Sequence, residues 1–212
     1  MNAVLTVNKQ SSGSFVLFGD SLNKIEFGSL LKQMSDEDFE AFCLLNKDWR
    51  IERTKEGDII IMPPVYTETG GKNFDIAVEL GIWSKKDGSG KGFDSSTGYK
   101  LPNGATRSPD VSWIRFDRWN ALPPEKRRKF AQIAPDFVIE LRSETDSLKE
   151  LKKKMHEYIE NGVSLGWLID AKNRRVYVYR PEKEIEVLDN PVEISGEPLL
   201  KGFVLNLQEI WR

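Results

Sequence analysis

Pro135-Asp-Phe-Val-Ile-Glu-Leu-Arg-Ser143, the Lys-rich segment 148–162 and Leu165-Gly-Trp-Leu-Ile-Asp170 together decide the fold. The run 137–141 is short, apolar and β-branched or aromatic at most positions, and Pro135 and Ser143 bound it, so it reads as a central strand. In the next segment Leu148, Leu151, Met155, Tyr158, Ile159 and Gly162 recur at helical spacing and form one stripe. Leu165–Asp170 is again a short apolar run and reads as a second buried strand. A strand–helix–strand crossover over 136–169 favours a mixed sheet with helices on its faces. The fold class is therefore α/β (or α+β), with a mixed central β-sheet flanked by helices.

Working outward, Arg175-Val-Tyr-Val-Tyr-Arg alternates as an edge strand should, with Asn173 marking the turn before it. Phe203–Leu207 offers one more strand. Upstream, Asp110-Val-Ser-Trp-Ile-Arg reads as a strand entered from Pro109, pairing like a hairpin with 96–101 around a turn at Asn103-Gly104. The charged segment from Pro123 to Lys129 has room for a short helix after its prolines. Asp87-Gly-Ser-Gly-Lys-Gly92 reads as a flexible loop. Its glycine spacing loosely resembles a phosphate loop, but no apolar strand precedes it and no Gly-Lys-Ser/Thr closes it. Phe74, Ala77, Val78, Leu80, Gly81 and Ile82 predict a helix of about four turns, after Gly70-Gly71 and ending near Lys86. Asp58–Met62 is a buried strand stopped by Pro63-Pro64. Ser35-Asp-Glu-Asp starts a helix, with Ser35 as cap and Phe39, Phe42, Cys43 and Leu44 as its apolar face. Of residues 1–33 little is legible beyond a short strand at Phe15–Phe18 and loose polar chain at 11–14. Residues 1–50 are expected to be an N-terminal, partly helical elaboration packed on a domain spanning 51–212.

Length and composition narrow the function classes. A chain of 212 residues, 39% hydrophobic, has material for one sizeable core. The net charge of −2 excludes a global basic field for nucleic acid, while leaving room for a local basic groove. Cys43 is the single cysteine, so there is no internal disulfide and a reducing compartment is expected. The first residues lack a basic region followed by an apolar run, and no window approaches the ~18 apolar residues of a membrane span. A soluble, cytoplasmic protein is the expectation.

Chemistry enters through two carboxylates. Side chains alternate along a strand, so Phe137, Ile139 and Leu141 share one face and Val138, Glu140 and Arg142 the other. A carboxylate in so apolar a strand is costly unless it is paired or holds a metal. Asp110 lies on the side of Ser112 and Ile114. If the two strands are neighbours, Asp110 and Glu140 converge near one end of the sheet. Paired hard oxygens with open water positions suit Mg²⁺ or Mn²⁺. Plain ion pairs, Glu140 with Arg142 or Asp110 with Arg107, account for the same residues without chemistry. On the helix, Lys153 falls away from the apolar stripe and belongs in solvent, whereas Lys152 and Lys154 flank it on opposite sides. Periodicity does not choose between those two. His156 lies off the stripe, which argues against histidine base chemistry.

Ser-Pro-Asp (108–110), the segments 135–143 and 166–170, and Lys-Met-His-Glu-Tyr-Ile-Glu-Asn-Gly-Val (154–163) resemble, in order and spacing, the Uma-two family. These are restriction-endonuclease-like proteins of the PD-(D/E)XK nuclease superfamily. The resemblance runs from about Gly57 to Arg180. It implies a restriction-endonuclease-like core, with the motif aspartate at Asp110 and the second carboxylate at Glu140. Arg142 stands where the superfamily lysine ordinarily follows. The resemblance implies that the lysine has moved onto the next helix, four residues before the tyrosine, at Lys154. Superfamily members often add an acid from the first core helix, a part open to Asp75 or Glu79. Glu144 departs from the proline common after the serine.

The expectation is a Mg²⁺- or Mn²⁺-dependent endonuclease acting on DNA. Asp110 and Glu140 would bind the metal, Lys154 would stabilise charge or orient water, and Arg142 and the run Lys126–Lys129 would meet phosphates. The alternative is a catalytically inactive member that binds nucleic acid or a protein. A homodimer formed through the apolar edge 175–179 is compatible with either.

Overall fold

The computed structural model describes residues 34–212 and, at the level of the backbone, two short strands before them. The strands are β1 (Ala3–Thr6), β2 (Ser14–Leu17), β3 (Arg50–Arg53), β4 (Ile59–Met62), β5 (Gly90–Phe93), β6 (Tyr99–Lys100) and β7 (Thr106–Arg107). They continue as β8 (Val111–Arg115), β9 (Phe137–Leu141), β10 (Leu165–Asp170), β11 (Arg175–Tyr179), β12 (Glu186–Asp189), β13 (Glu193–Ser195) and β14 (Val204–Asn206). The helices are α1 (Asp36–Leu45), α2 (Thr67–Asp87), α3 (Phe116–Ala121), α4 (Pro124–Arg127) and α5 (Leu148–Glu160). The strand expected near Phe15 is β2; the polar residues 11–13 lie outside the described residues.

The chain divides into two compact units, Met1–Pro64 with Gly104–Arg107 and Val65–Asn103 with Ser108–Arg212. In the first, β1 and β2 pair antiparallel, and β3 pairs antiparallel with β4 and β7. Ser35 caps α1 by accepting the Asp38 N–H at 3.1 Å, and three acids occupy the first turn where the helix dipole favours them. Phe39 and Phe42 are buried, but Leu44 is 77% exposed. Two residues beyond Phe42 is about 200° around a helix, so Leu44 faces away from the apolar stripe expected to include it. Arg107, expected as a partner for Asp110, pairs with Glu52 at 3.2 Å.

The second unit is built on a six-stranded sheet ordered β12-β11-β10-β9-β8-β5. β9 and β10 are parallel and every other pairing is antiparallel, so the sheet is mixed. One face carries Trp113, Phe137, Ile139, Trp167 and Val178, buried against Ile76 and Leu80 of α2 and Phe203 and Leu205 of the C-terminal hairpin. Alternation sends Ser112, Val138, Glu140, Gly166 and Leu168 to the other face, under α5. α5 crosses β10 closely because Gly166 has no side chain: a Cβ there would lie 2.5 Å from Met155 Cε.

Four expectations are corrected here. α2 runs for 21 residues from Thr67, with Gly70-Gly71 inside it, and buries Ile76, Leu80 and Ser84 while Phe74 and Ile82 stay exposed. The expected flexible loop 87–92 is half ordered structure: Gly88, at φ 71°, ends α2 in the left-handed conformation, and Gly90 opens β5. Gly90 lies flat against the Trp113 ring, where a Cβ would sit 2.3 Å from Cζ2. β8 takes β5 and β9 as its sheet neighbours. Finally, β11 is interior, because β12 pairs along its far side; the stretch 175–179 is not an edge open to a second copy.

Candidate active site

The pairing of β8 with β9 builds the site. Val111 faces Ile139 and Ser112 faces Val138, so continuing the register by one residue sets Asp110 beside Glu140. Cross-strand neighbours hold their Cβ atoms about 4.5–5.5 Å apart. Both carboxylates are buried, at 7% and 3% exposure. Asp110 Oδ2 accepts the Leu141 backbone N–H at 2.8 Å, which ties the end of β8 to β9.

α5 supplies the cation. Met155 sits over β10, so the residues flanking it lean towards the two neighbours of that strand. Lys154 leans to the β9 side and its Nζ lies 2.8 Å from Glu140 Oε1. Lys152 leans to the β11 side and its Nζ sits 4.0 Å above the Tyr177 ring, a cation–π contact. Lys153 points to solvent and pairs with Glu150. The tie left by helical periodicity is thus resolved by strand order, and Lys154 is the lysine brought to the carboxylates. Its Nζ also lies 3.5 Å from the Ser108 carbonyl oxygen.

Tyr158, one turn on, donates its hydroxyl to Glu140 Oε1 at 3.0 Å and is fully buried. The sequence reading placed it in the apolar stripe and assigned it nothing further. Its position four residues after Lys154 was the available signal, because a buried phenol needs a partner for its O–H.

A family model, Uma2, described as "Putative restriction endonuclease", matches residues 36–208. The chain belongs to the Uma2 family. Five solved chains are similar to it. One is a crystal structure of a "putative nuclease belonging to DUF820" from Anabaena variabilis, 24% identical. It covers 76% of this chain and 89% of its own, with a TM-score of 0.65, and shows the same fold. No curated protein matches.

The remaining candidates of this Uma2 protein fall outside the cluster. Arg142 turns away from Glu140: its Nη1 lies 3.0 Å from Asp170 Oδ2, and its Nε donates to the Asp146 carbonyl at 3.2 Å. It therefore ties β10 and the loop before α5 together, and the ion pair considered between Arg142 and Glu140 gives way to Arg142–Asp170. Asp75 and Glu79 lie on the exposed side of α2. Among the described residues no three Asp, Glu, His or Cys side chains group to hold an ion. A metal at Asp110 and Glu140 would have two protein carboxylates, which is the usual way Mg²⁺ is held when waters and phosphate oxygens complete its shell. The basic run, which begins in α4 and continues past it, is divided: Arg127 is tied to the carbonyls of Leu122 and Asn120, while Lys126, Arg128 and Lys129 are exposed. The His156 and Tyr179 rings meet in a T-shaped contact, with centroids 5.4 Å apart, on the β11 side of the sheet. No described helix is long and apolar enough to cross a membrane.

Proposed function

We propose that this Uma2 protein is a metal-dependent endonuclease that hydrolyses DNA phosphodiester bonds. The observation that carries the reading is Asp110 beside Glu140 at the end of β8 and β9, with the Lys154 ammonium 2.8 Å from Glu140. Asp110 and Glu140 would hold Mg²⁺ or Mn²⁺. Such an ion supplies Lewis acidity towards a phosphate and lowers the pKa of a bound water. Lys154 would stabilise charge developing on the phosphate or orient the attacking water. Tyr158 and Lys154 together fix the orientation of the Glu140 carboxylate, so its position is set before substrate arrives. Lys126, Arg128 and Lys129 would meet backbone phosphates, giving binding that weakens as salt rises. Residues 51–212 would carry the nuclease core with 1–50 as an elaboration, and Cys43, unpaired, fits a cytoplasmic setting.

The test joins Mn²⁺ titration calorimetry to nicking of supercoiled plasmid, with Asp110→Asn and Glu140→Gln as variants. Mn²⁺ binding and nicking by the wild type, both lost in folded variants, support the reading; neither activity with any divalent ion or DNA form overturns it.

One observation favours a second reading, a non-catalytic nucleic-acid or protein binder. Arg142, at the usual position of the motif lysine, is committed to Asp170. Salt-dependent DNA binding that survives alanine at both carboxylates, without cleavage, selects that reading.

A further inference from the structure

A cavity outside the candidate active site is lined by cations. Its volume is about 420 Å³, within the size range of small-molecule sites. Arg174, Asn190, Gln208, Trp211 and Arg212 line it, with Pro191 and Val192 as an apolar wall. No Asp or Glu is among these residues. Two guanidinium groups around one cavity repel each other until an anion comes between them.

The turn that carries Arg174 is tied on both sides. Asp170 Oδ2 accepts the Asn173 side-chain amide at 2.8 Å, and the Arg174 carbonyl accepts the Asn190 N–H at 2.7 Å. Arg174 itself is held at φ 51°, ψ 46°, the left-handed region that suits glycine or asparagine. Side chains kept in that region cluster at ligand sites. Its neighbour Arg175 pairs with Asp189 at 2.8 Å, and Arg212 with Glu209 at 2.7 Å. The Arg174 guanidinium has no such carboxylate among the described residues. Across the cavity, Trp211 Nε1 donates to the Pro191 carbonyl at 2.8 Å, which fixes the ring. Guanidinium groups recognise phosphate, an aromatic ring stacks on a base, and side-chain amides read base edges.

We propose that this cavity binds a nucleotide, its phosphate held by Arg174 and Arg212, its base stacked on Trp211, and Asn190 and Gln208 at the base edge. The nucleotide is either free or one residue of a polynucleotide. The second source is open to it because the cavity lies at the same end of the sheet as Asp110 and Glu140: Arg142, at the end of β9, pairs with Asp170 at 3.0 Å, and Asp170 fixes the Arg174 turn. The site does not depend on the nuclease reading and holds whether or not the protein cleaves DNA.

NMR titration of the full chain with each of the four common deoxynucleoside monophosphates, in EDTA so that binding is read without cleavage, tests it. The probe is the Trp211 indole N–H signal, identified as the one lost in Trp211→Phe. At least one nucleotide is expected to shift that signal and to bind with a Kd below roughly 1 mM. Arg174→Gly should weaken binding by roughly tenfold or more, the effect of losing a charged hydrogen bond. Its circular dichroism should be unchanged, because glycine takes φ 51° without strain. The deoxynucleosides, which lack the phosphate, should bind more weakly than their monophosphates. An oligothymidylate bound more tightly than thymidine monophosphate, through Arg174, makes a polynucleotide the source; equal affinity makes it a free nucleotide. No binding of any of the four, binding indifferent to Arg174→Gly, or inorganic phosphate bound as tightly as every nucleotide overturns the proposal.

Discussion

Replacing Lys154 by Met removes the ammonium from Glu140 while keeping an unbranched stem of similar volume, so the loss reads charge and not packing. The two charges sit 2.8 Å apart, with side-chain exposures of 12% for Lys154 and 4% for Glu140. At an effective dielectric of about 20, their gross attraction is on the order of 6 kcal/mol. Desolvation of both groups opposes most of it, and removing one partner of a buried pair costs about 3–5 kcal/mol. Because Lys154 is not wholly buried, the lower end applies, about 3 kcal/mol. Urea unfolding of wild type, Lys154→Met, Glu140→Gln and the double variant reads it. The double variant should be more stable than Lys154→Met, since Gln leaves no buried charge behind. The reasoning is refuted if Lys154→Met lies within about 0.5 kcal/mol of wild type, or if adding Glu140→Gln brings no recovery.

Three further outcomes follow from neighbouring features. Tyr158→Phe removes a buried hydrogen bond to a carboxylate and should cost about 1.5–3 kcal/mol in urea unfolding; no change would mean the hydroxyl does not hold Glu140. Gly90→Ala should destabilise by about 1–3 kcal/mol or more, because the Cβ meets a rigid Trp113 ring and the Ile114 carbonyl oxygen, neither of which can swing aside; a wild-type melting curve would contradict the close approach. Burial, partly offset by the Arg53 guanidinium, pushes the Cys43 thiol from 9.0 up to about 12. Alkylation by iodoacetamide at pH 8 should therefore be roughly a thousandfold slower than for a free thiol. The neutral thiol's contribution to stability is complete below pH about 9, where the unfolded chain titrates, and is lost as the pH rises through about 12.

What was legible in the sequence was the part in which local pattern and tertiary environment agree. Phe137–Leu141 and Leu165–Asp170 are buried on both faces, and their mostly apolar runs read as central strands; of the stripe on α5, Met155 and Tyr158 are buried, Leu148, Leu151 and Ile159 are half-buried and Gly162 is exposed. The pairing of Asp110 with Glu140 followed from alternation once the two strands proved to be neighbours. Reading failed where a residue's reason lay in a distant partner. Gly90 looked like flexibility, but its lack of a side chain admits Trp113, 23 positions away in sequence. Gly70-Gly71 looked like a break, but α2 extends through them to Thr67. β11 looked like an edge because β12, Glu-Val-Leu-Asp, is too polar and short to announce that it covers it. The choice between Lys152 and Lys154 depended on which strands flank β10, which helical periodicity does not contain. Tyr158 was seen as an apolar ring, and its hydroxyl became informative only beside Glu140.

The most direct test of the central claim, that Asp110 and Glu140 together form a metal-dependent DNA-cleaving site, is nicking of supercoiled plasmid by wild type and Glu140→Gln, side by side, with Mg²⁺ and with excess EDTA. The account predicts nicking by the wild type in Mg²⁺ alone, and none by a Glu140→Gln protein with the wild-type circular dichroism spectrum. Nicking that persists in EDTA, or that is equal in the two proteins, would contradict it.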